Sequence, residues 1–233
     1  MRDEGEMMQR LRALRCARTA LTVILLSLSL FITGCPAAGV IHYKLMGPPP
    51  VEARYVPVKE PMLVLVENYR VAGGGYSDAE MLARHLIVEL KEHDVAPLIP
   101  MDALYTLRTN KGDAYRRMSM ASVGREVGAK QVLYVDVQQS SIGAPPGSEL
   151  LKGRIGVQVR IVDVETGATR WPKEATEGIP LAYETQLPRA DENTTEAMVR
   201  QRLREAMALR IARLFYKWKP VDSGEVLDMG EAG

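Results

Sequence analysis

The chain has few cysteines. Among its 233 residues there are two, Cys16 and Cys35, and both lie in or beside an apolar segment near the amino terminus. The rest of the chain therefore cannot carry an internal disulfide or a cysteine metal cluster. Its core must be stabilised by packing alone.

An excess of either charge is also lacking. Lys and Arg number 30 and Asp and Glu 29, so the chain has no basic field of the kind that drives nonspecific binding to nucleic acid, and we expect no nucleic-acid partner. The 46% hydrophobic and 25% charged fractions are typical of globular proteins and disfavour a multi-span membrane protein. This length suits one ordinary domain with extensions.

A long apolar run is missing as well. Residues 20–32 are uncharged and follow four arginines, which are Arg10, Arg12, Arg15 and Arg18. A membrane-spanning helix needs roughly 20 apolar residues, whereas about 13 cover only ~20 Å of a ~30 Å hydrocarbon layer. A charged region before a short apolar run is typical of an export signal. We therefore predict a signal peptide over residues 1–34.

The apolar run ends in Ile32, Thr33, Gly34 and Cys35, which resembles the lipobox of bacterial lipoproteins. The resemblance implies cleavage between Gly34 and Cys35, a diacylglycerol on the Cys35 thiol and an acyl chain on its amine. Each buried methylene contributes ~0.8 kcal/mol, and two or more chains anchor a protein stably. The alternative is an uncleaved signal anchor whose cysteine is incidental.

The remainder divides into three parts. Residues 35–60 hold the lipidated cysteine and a proline-rich stretch without a helical period, which indicates an extended tether. Residues 61–219 alternate strand and helix patterns and are expected to form one domain. Residues 220–233 are expected to be a flexible acidic tail.

The first half of the domain is predicted to alternate strands and helices. Residues 62–66 form an apolar run typical of a strand buried on both faces. Ser77 with Glu80 resembles a capping box and predicts a helix to about residue 93. A short strand at 95–99, a helix at 101–107, a polar break at 110–113, a helix at 119–127 and a strand at 131–137 follow.

The second half contains a hairpin and a long helix. Residues 155–161 alternate as a half-buried strand, and a turn at residues 165–167 pairs it with 168–171. Asn193 with Glu196 is expected to cap a last helix whose apolar residues recur through Trp218. The predicted fold is an α/β (α+β) single domain, a mixed sheet of four to five strands with a C-terminal antiparallel hairpin. A capped helix after strand 1 and the long last helix pack on it.

This order resembles the α/β domain shared by several envelope lipoproteins: the curli secretion lipoprotein, the penicillin-binding-protein activator lipoproteins and the amino-terminal domain of the Tol translocation protein. The matching residues are Val64 to Asn68, Gly128, Ala129, the strand to Asp136, and Val162, Asp163, Thr166, Gly167 and Trp171. Val66 and Glu67 stand where that family usually has proline and phenylalanine. The resemblance implies the fold more than the function.

One helix edge offers a candidate metal site. His85, Glu89 and His93 are spaced by four, so two imidazoles and a carboxylate could face one ion. Alternatively, they border the apolar face that this helix is expected to bury, and His93 suits the helix end, where a positive charge interacts favourably with the helix dipole. Asp163 and Glu165 could do acid-base work or simply form a turn.

Basic residues of the last helix offer a second surface, which either contacts anionic lipid or an acidic partner or is a solvated face. They are Arg200, Arg202, Arg204, Arg210, Arg213 and Lys217.

The sequence holds no recognisable catalytic centre: the folded part has no cysteine and no Gly-x-Ser-x-Gly elbow. Our leading hypothesis is a non-enzymatic lipoprotein on a membrane facing the periplasm, with the outer membrane favoured. It would bind another envelope protein or copies of itself, with no cofactor beyond the lipid on Cys35. The alternatives are a metal-assisted envelope enzyme of unknown class and a subunit of an oligomeric envelope secretion assembly.

Overall fold

The computed structural model describes residues 48–69, 76–144, 151–185 and 195–220, without the side chains of residues 76 and 77. The predicted signal peptide, Gly34, Cys35, residues 36–47 of the tether and residues 221–233 of the tail lie outside these ranges. Within them, no helix combines the length and the apolar character that crossing a bilayer requires.

The described residues form one mixed sheet of five strands, and four α-helices accompany it. β1 pairs in parallel with β2, β2 is antiparallel to β3, and β4 and β5 both pair antiparallel with the outer edge of β3. The strands are β1 (Met62–Glu67), β2 (Gln131–Gly143), β3 (Lys152–Asp163), β4 (Thr169–Trp171) and β5 (Ile179–Glu184). The helices are α1 (Tyr76–Glu92), α2 (Met101–Lys111), α3 (Met120–Glu126) and α4 (Glu196–Ala212), with a 3-10 helix at Gly112–Arg117. This single α/β domain confirms the predicted fold class.

The sheet buries apolar side chains on both faces. α1 and α4 cover one face, where Leu86 and Met207 are fully buried with Val135. α2 and α3 cover the other, where Leu65 and Val132 are buried. Successive side chains of β1 point to the two faces of the sheet in turn. All of its first five residues are therefore buried, as the continuous apolar run predicts.

Two strand assignments differ from the sequence prediction. Residues 95–99 do not form a strand; they make one parallel β-bridge, in which Leu98 pairs with Met62. The structure has β5 instead, which the sequence analysis missed because Pro180 interrupts its apolar pattern. Pro180 stands opposite Gln158 at the outer edge of the sheet, where a residue without an N–H group is tolerated.

The helix ends differ as well. α2 runs through the predicted polar break as far as Lys111 and continues as the 3-10 helix. The cap of α4 is Thr195, whose hydroxyl accepts a hydrogen bond from the Met198 amide at 3.3 Å; Asn193 lies outside the described residues. α4 ends at Ala212, well before Trp218.

Residues 50–61, which we name the strap, bind the end of the domain where β1 begins. Val51 and Trp218 form a β-bridge, and the ring of Tyr55 stacks on Trp171 at 5.7 Å between centroids. The Leu214 carbonyl, just after α4, accepts from the amides of Arg54 and Tyr55 at 2.8 and 3.1 Å. The folded unit thus begins at Pro50 and includes residues that the sequence assigns to the tether.

Candidate functional site

A cleft of about 320 Å³ lies between α1, α4 and the arms of β2 and β3. It exists because β2 has 13 residues and β1 only 6, so β2 and β3 continue past the last residue of β1. Ser140, in the cleft, lies roughly 30 Å along β2 from Gln131 at ~3.3 Å per residue. Gln131 is where the strap is held, because its side-chain amide donates to the carbonyls of Val58 and Glu60. The cleft and the strap are therefore at opposite ends of the sheet.

Apolar side chains form the floor of the cleft. They are Leu82, Val137, Ile142, Ile155 and Leu203. The floor is closed because α4 approaches β3 at Gly153, where a Cβ atom would lie 2.6 Å from Leu203 Cδ1 and 2.7 Å from Val199 Cγ1. A glycine is required here for packing.

One wall of the cleft is ionic. Asp78, in the first turn of α1, accepts from two arginines of α4: its Oδ1 lies 2.7 Å from Arg204 Nη1 and its Oδ2 3.2 Å from Arg200 Nη1. Arg200 also pairs with Glu196, one turn earlier. The pairing holds the amino-terminal halves of the two helices together and fixes both guanidinium groups at the cleft.

Arg204 has donor capacity that the described residues do not use. Its side chain is 16% exposed, and its Nε is buried without a hydrogen-bond partner in that part of the chain. Because Nε is closed to solvent, a group bound in the cleft would meet the terminal Nη groups of Arg204 instead. Ser140 and Asn68, just after β1, add polar groups to the rim.

The predicted basic surface of α4 is largely occupied by contacts within the domain. Arg200 and Arg204 line the cleft, Arg210 donates to the Ala182 carbonyl at 3.0 Å, and Lys217 pairs with Glu52 at 2.6 Å. Arg202 and Lys217 are exposed, and the other four are half-buried. The interpretation of these residues as one solvated face therefore holds for only part of the set, because Arg200 and Arg204 line the cleft and Arg210 contacts β5.

The candidate metal residues do not form a site. Among the described residues, no group of three or more His, Cys, Asp or Glu side chains could hold a metal ion. The His93 ring stacks on Tyr216 at 3.6 Å between centroids. Burial, followed by the charge of Glu89, raises the pKa of Tyr216. His85 lies half-buried on α1, and the structure does not bring the three residues together as ligands.

Asp163 acts in the hairpin turn. Its Oδ1 accepts from the amides of Glu165 and Thr166 at 2.9 and 2.8 Å, and its Oδ2 accepts from Arg170 Nε at 2.7 Å. The Thr166 amide is the main cause that lowers the pKa of Asp163 to about 2, and Arg170 adds to it. The turn interpretation is confirmed for Asp163, and Glu165 is exposed.

A second polar cluster, which the sequence analysis missed, lies on the opposite face of the sheet. The carboxylate of Glu67 accepts from the hydroxyls of Tyr134 at 3.0 Å and Tyr69 at 3.2 Å. Burial raises the pKa of Glu67, while these hydrogen bonds lower it in part. Burial and the charges of Glu67 and Asp136 raise the pKa of Tyr134, so that phenol keeps its proton and donates.

The cleft residues gave little local signal in the sequence. Asp78 and Arg204 are 126 positions apart, and no short motif links them. The sequence analysis named Arg200 and Arg204 within the basic surface of the last helix, but it did not consider Asp78, the acid in the first turn of α1. Asn68 was noted only as one of the residues that carry the resemblance to envelope lipoproteins.

No known family model matches the chain, and no curated protein matches its sequence. Solved structures do resemble it. Lipoprotein GNA1162 from Neisseria meningitidis is 14% identical over 66% of this chain and 98% of its own, with a TM-score of 0.44. The PelC dodecamer from Paraburkholderia phytofirmans is 13% identical over 73% and 94%, with a TM-score of 0.36. The LpoB C-terminal domain from Salmonella enterica is 19% identical over 57% and 87%, with a TM-score of 0.35.

Several of these structural neighbours are bacterial lipoproteins, including a minor lipoprotein from Acinetobacter baumannii at 14% identity. Their identities are too low to transfer a role to this chain.

Proposed function

We propose that this chain is a lipid-anchored protein of the bacterial cell envelope that binds a protein partner through the cleft and is not an enzyme. The observation that carries the proposal is the placement of the cleft at the opposite end of the sheet from the strap. The chain leads from the strap back towards Cys35, so the binding site lies at the end of the domain remote from the attachment point.

The anchor and the tether would set where the domain can act. Lipid on Cys35 would confine it to a membrane surface and raise its effective concentration near a partner in the same envelope. Because the strap is bound to the domain, the predicted tether would be shortened to residues 36–49. At ~3.1 Å per residue, an extended stretch of that length reaches roughly 40 Å.

The cleft is suited to recognition. Its charged side chains are held by one another through Asp78 and Glu196, so they are positioned before a partner arrives. Its volume of about 320 Å³ is at the small end of ligand-binding pockets. It would therefore admit one or two side chains of a partner.

Photo-crosslinking in intact cells tests the proposal. A photoreactive amino acid replaces Ser140, in the cleft, or Lys173, an exposed residue beyond β4, in the full-length chain. We expect position 140 to give a discrete adduct with one envelope protein, identified by mass spectrometry, and position 173 not to give it. An adduct with a second copy of the chain would indicate self-association instead. Equal adducts from both positions, or none from 140, would contradict the proposed site.

The anchor is tested separately. Cys35→Ser should abolish labelling by a radioactive fatty acid and leave the precursor uncut, because the thiol that accepts the lipid is gone. The adduct at position 140 should then decrease with the loss of membrane attachment. Labelling that persists in Cys35→Ser would refute the anchor without affecting the cleft.

A further inference from the structure

We infer that the cleft binds a carboxylate group on an apolar segment of the partner, received by Arg200 and Arg204. The inference rests on the proposed function and names the chemistry that the site recognises. Either a chain-terminal carboxylate or the side chain of Asp or Glu offers this group.

The inner part of the ionic wall has an excess of positive charge. Arg200, Arg204 and Asp78 have side chains 36%, 16% and 28% exposed, and together they carry a formal charge of +1. Glu196, which would neutralise them, is 61% exposed, so water screens its charge more strongly. A single negative charge entering the cleft would therefore meet a partly buried positive site, where Coulomb interactions are stronger than in water.

The available hydrogen-bond donors also favour an oxyanion. A guanidinium group has five N–H donors, and Asp78 takes up one from each arginine. Within the described residues Arg204 bonds only Asp78, through Nη1, so the N–H groups of its Nη2 remain for a bound carboxylate, whereas its Nε is closed to solvent. A carboxylate can accept two parallel N–H bonds from a guanidinium group, which gives directional recognition.

The rest of the cleft selects what carries the carboxylate. The floor is apolar, with Leu82, Val137 and Leu203 among its residues, so an aliphatic group would be removed from water beside the carboxylate. The hydroxyl of Ser140 at the rim is able to bond a peptide backbone. A single net positive charge suits a monoanionic carboxylate better than a dianionic phosphate.

Ligand-observed NMR on the full-length protein in detergent micelles tests the inference with two matched pairs of probes. Acetyl-leucyl-leucine and its C-terminal amide compare a terminal carboxylate with a neutral group. Acetyl-leucyl-glutamate amide and acetyl-leucyl-glutamine amide compare a side-chain carboxylate with its neutral analogue. We expect at least one acid to bind about tenfold or more tightly than its neutral analogue, as a charge-assisted hydrogen bond gives. The pair that shows the difference identifies the source of the carboxylate.

Three variants locate the binding. Arg204→Gln should lower the affinity for the preferred acid about tenfold and leave that for its neutral analogue unchanged. Ser140→Trp should block both by filling the cleft without touching the ion pairs, because Ser140 shares the cleft face with Ile155, its partner on β3. Arg154→Gln is the control, because Arg154 pairs with Glu184 on β5 and does not line the cleft. Thermal unfolding of each variant checks that it is folded.

If Arg204→Gln fails to fold, Ser140→Trp and the acid–neutral comparison in the wild-type chain decide the question. Equal affinity for acid and neutral probes, or no binding of any probe, would overturn the inference. Crosslinking at position 140 together with equal probe affinities would leave the proposed function standing and refute only the carboxylate. Preference for an acid without any crosslinked protein would contradict the proposed protein partner and indicate a small-molecule site.

Discussion

Arg204 of α4 donates from Nη1 to Oδ1 of Asp78 on α1 at 2.7 Å. The two helices run side by side in the same direction, since Asp78 meets Arg200 and Arg204 near their starts, and His93 stacks on Tyr216 near their ends. One carboxylate thus fastens the beginning of the helix pair and shapes the ionic wall of the cleft.

Asp78→Asn should destabilise the domain by about 2 kcal/mol, because it leaves two partly buried guanidinium groups without their shared carboxylate. The measurement is urea unfolding followed by circular dichroism. The variant's midpoint should fall while the slope against urea concentration stays unchanged.

The matched control is Asp102→Asn. Asp102 is also an acid in the first turn of a helix, α2, but it is exposed. Its removal tests the interaction with the helix dipole alone, which contributes about 0.3–1 kcal/mol. If both variants lose the same free energy of unfolding, the arginines contribute nothing beyond the dipole.

Gly153→Ala should destabilise the domain by about 1–3 kcal/mol. The new Cβ would lie under 3 Å from side-chain atoms of Leu203 and Val199. This overpacking would force α4 away from β3 and destabilise the folded state. Gly143→Ala, on the adjoining strand, is the control, since nothing lies within 4 Å of its Cβ position. A Gly153→Ala variant as stable as Gly143→Ala would show that α4 moves freely and that the floor of the cleft is not fixed.

The sequence predicted those parts of the fold whose cause is local. The apolar run of β1 and the Asp163 turn carry their physical reason within a few residues, and both were found. β5 was not, because its pairing to β3 overrides the break that Pro180 suggests. The end of α4 could not be found either, since the strap amides of Arg54 and Tyr55 bind the Leu214 carbonyl from more than 150 positions away.

The cleft depends even more on distant residues. Asp78 and Arg204 each look like ordinary helix-surface charges in the sequence, and only the parallel packing of α1 and α4 turns them into one wall. The empty space results from a difference in length between β1 and β2. The sequence analysis ended β2 at residue 137, so the projecting arm that carries Ser140 was not anticipated.

Asp163→Asn should make the domain less stable at neutral pH and less sensitive to acid. The folded pKa of Asp163 is about 2, against an ordinary value of 3.8. The carboxylate therefore contributes stability that is fully present above pH 3.8 and lost as the pH falls towards 2. With allowance for solvent screening, we expect the free energy of unfolding of Asp163→Asn to lie about 1 kcal/mol below that of wild type at pH 7. Urea unfolding at pH 7 and 2.5 measures this difference. A difference that is the same at both pH values would contradict the assigned cause.

Glu67→Gln should have the opposite dependence on pH. Burial raises the folded pKa of Glu67 above its ordinary 4.5, so this group favours the folded state at low pH and costs stability as the pH rises through the folded pKa. The two hydroxyls donate to different oxygens of Glu67, so the amide oxygen of glutamine can still accept from one of them, and glutamine carries no charge to desolvate.

The free energy of unfolding of wild type relative to Glu67→Gln should therefore fall from pH 4 to pH 8. Glu165→Gln, which removes an exposed carboxylate of the hairpin turn, is the control for a change in net charge. A rise in the relative stability of wild type over this range would mean that the tyrosine hydrogen bonds outweigh burial. The Glu67 carboxylate would then be a stabilising member of its cluster.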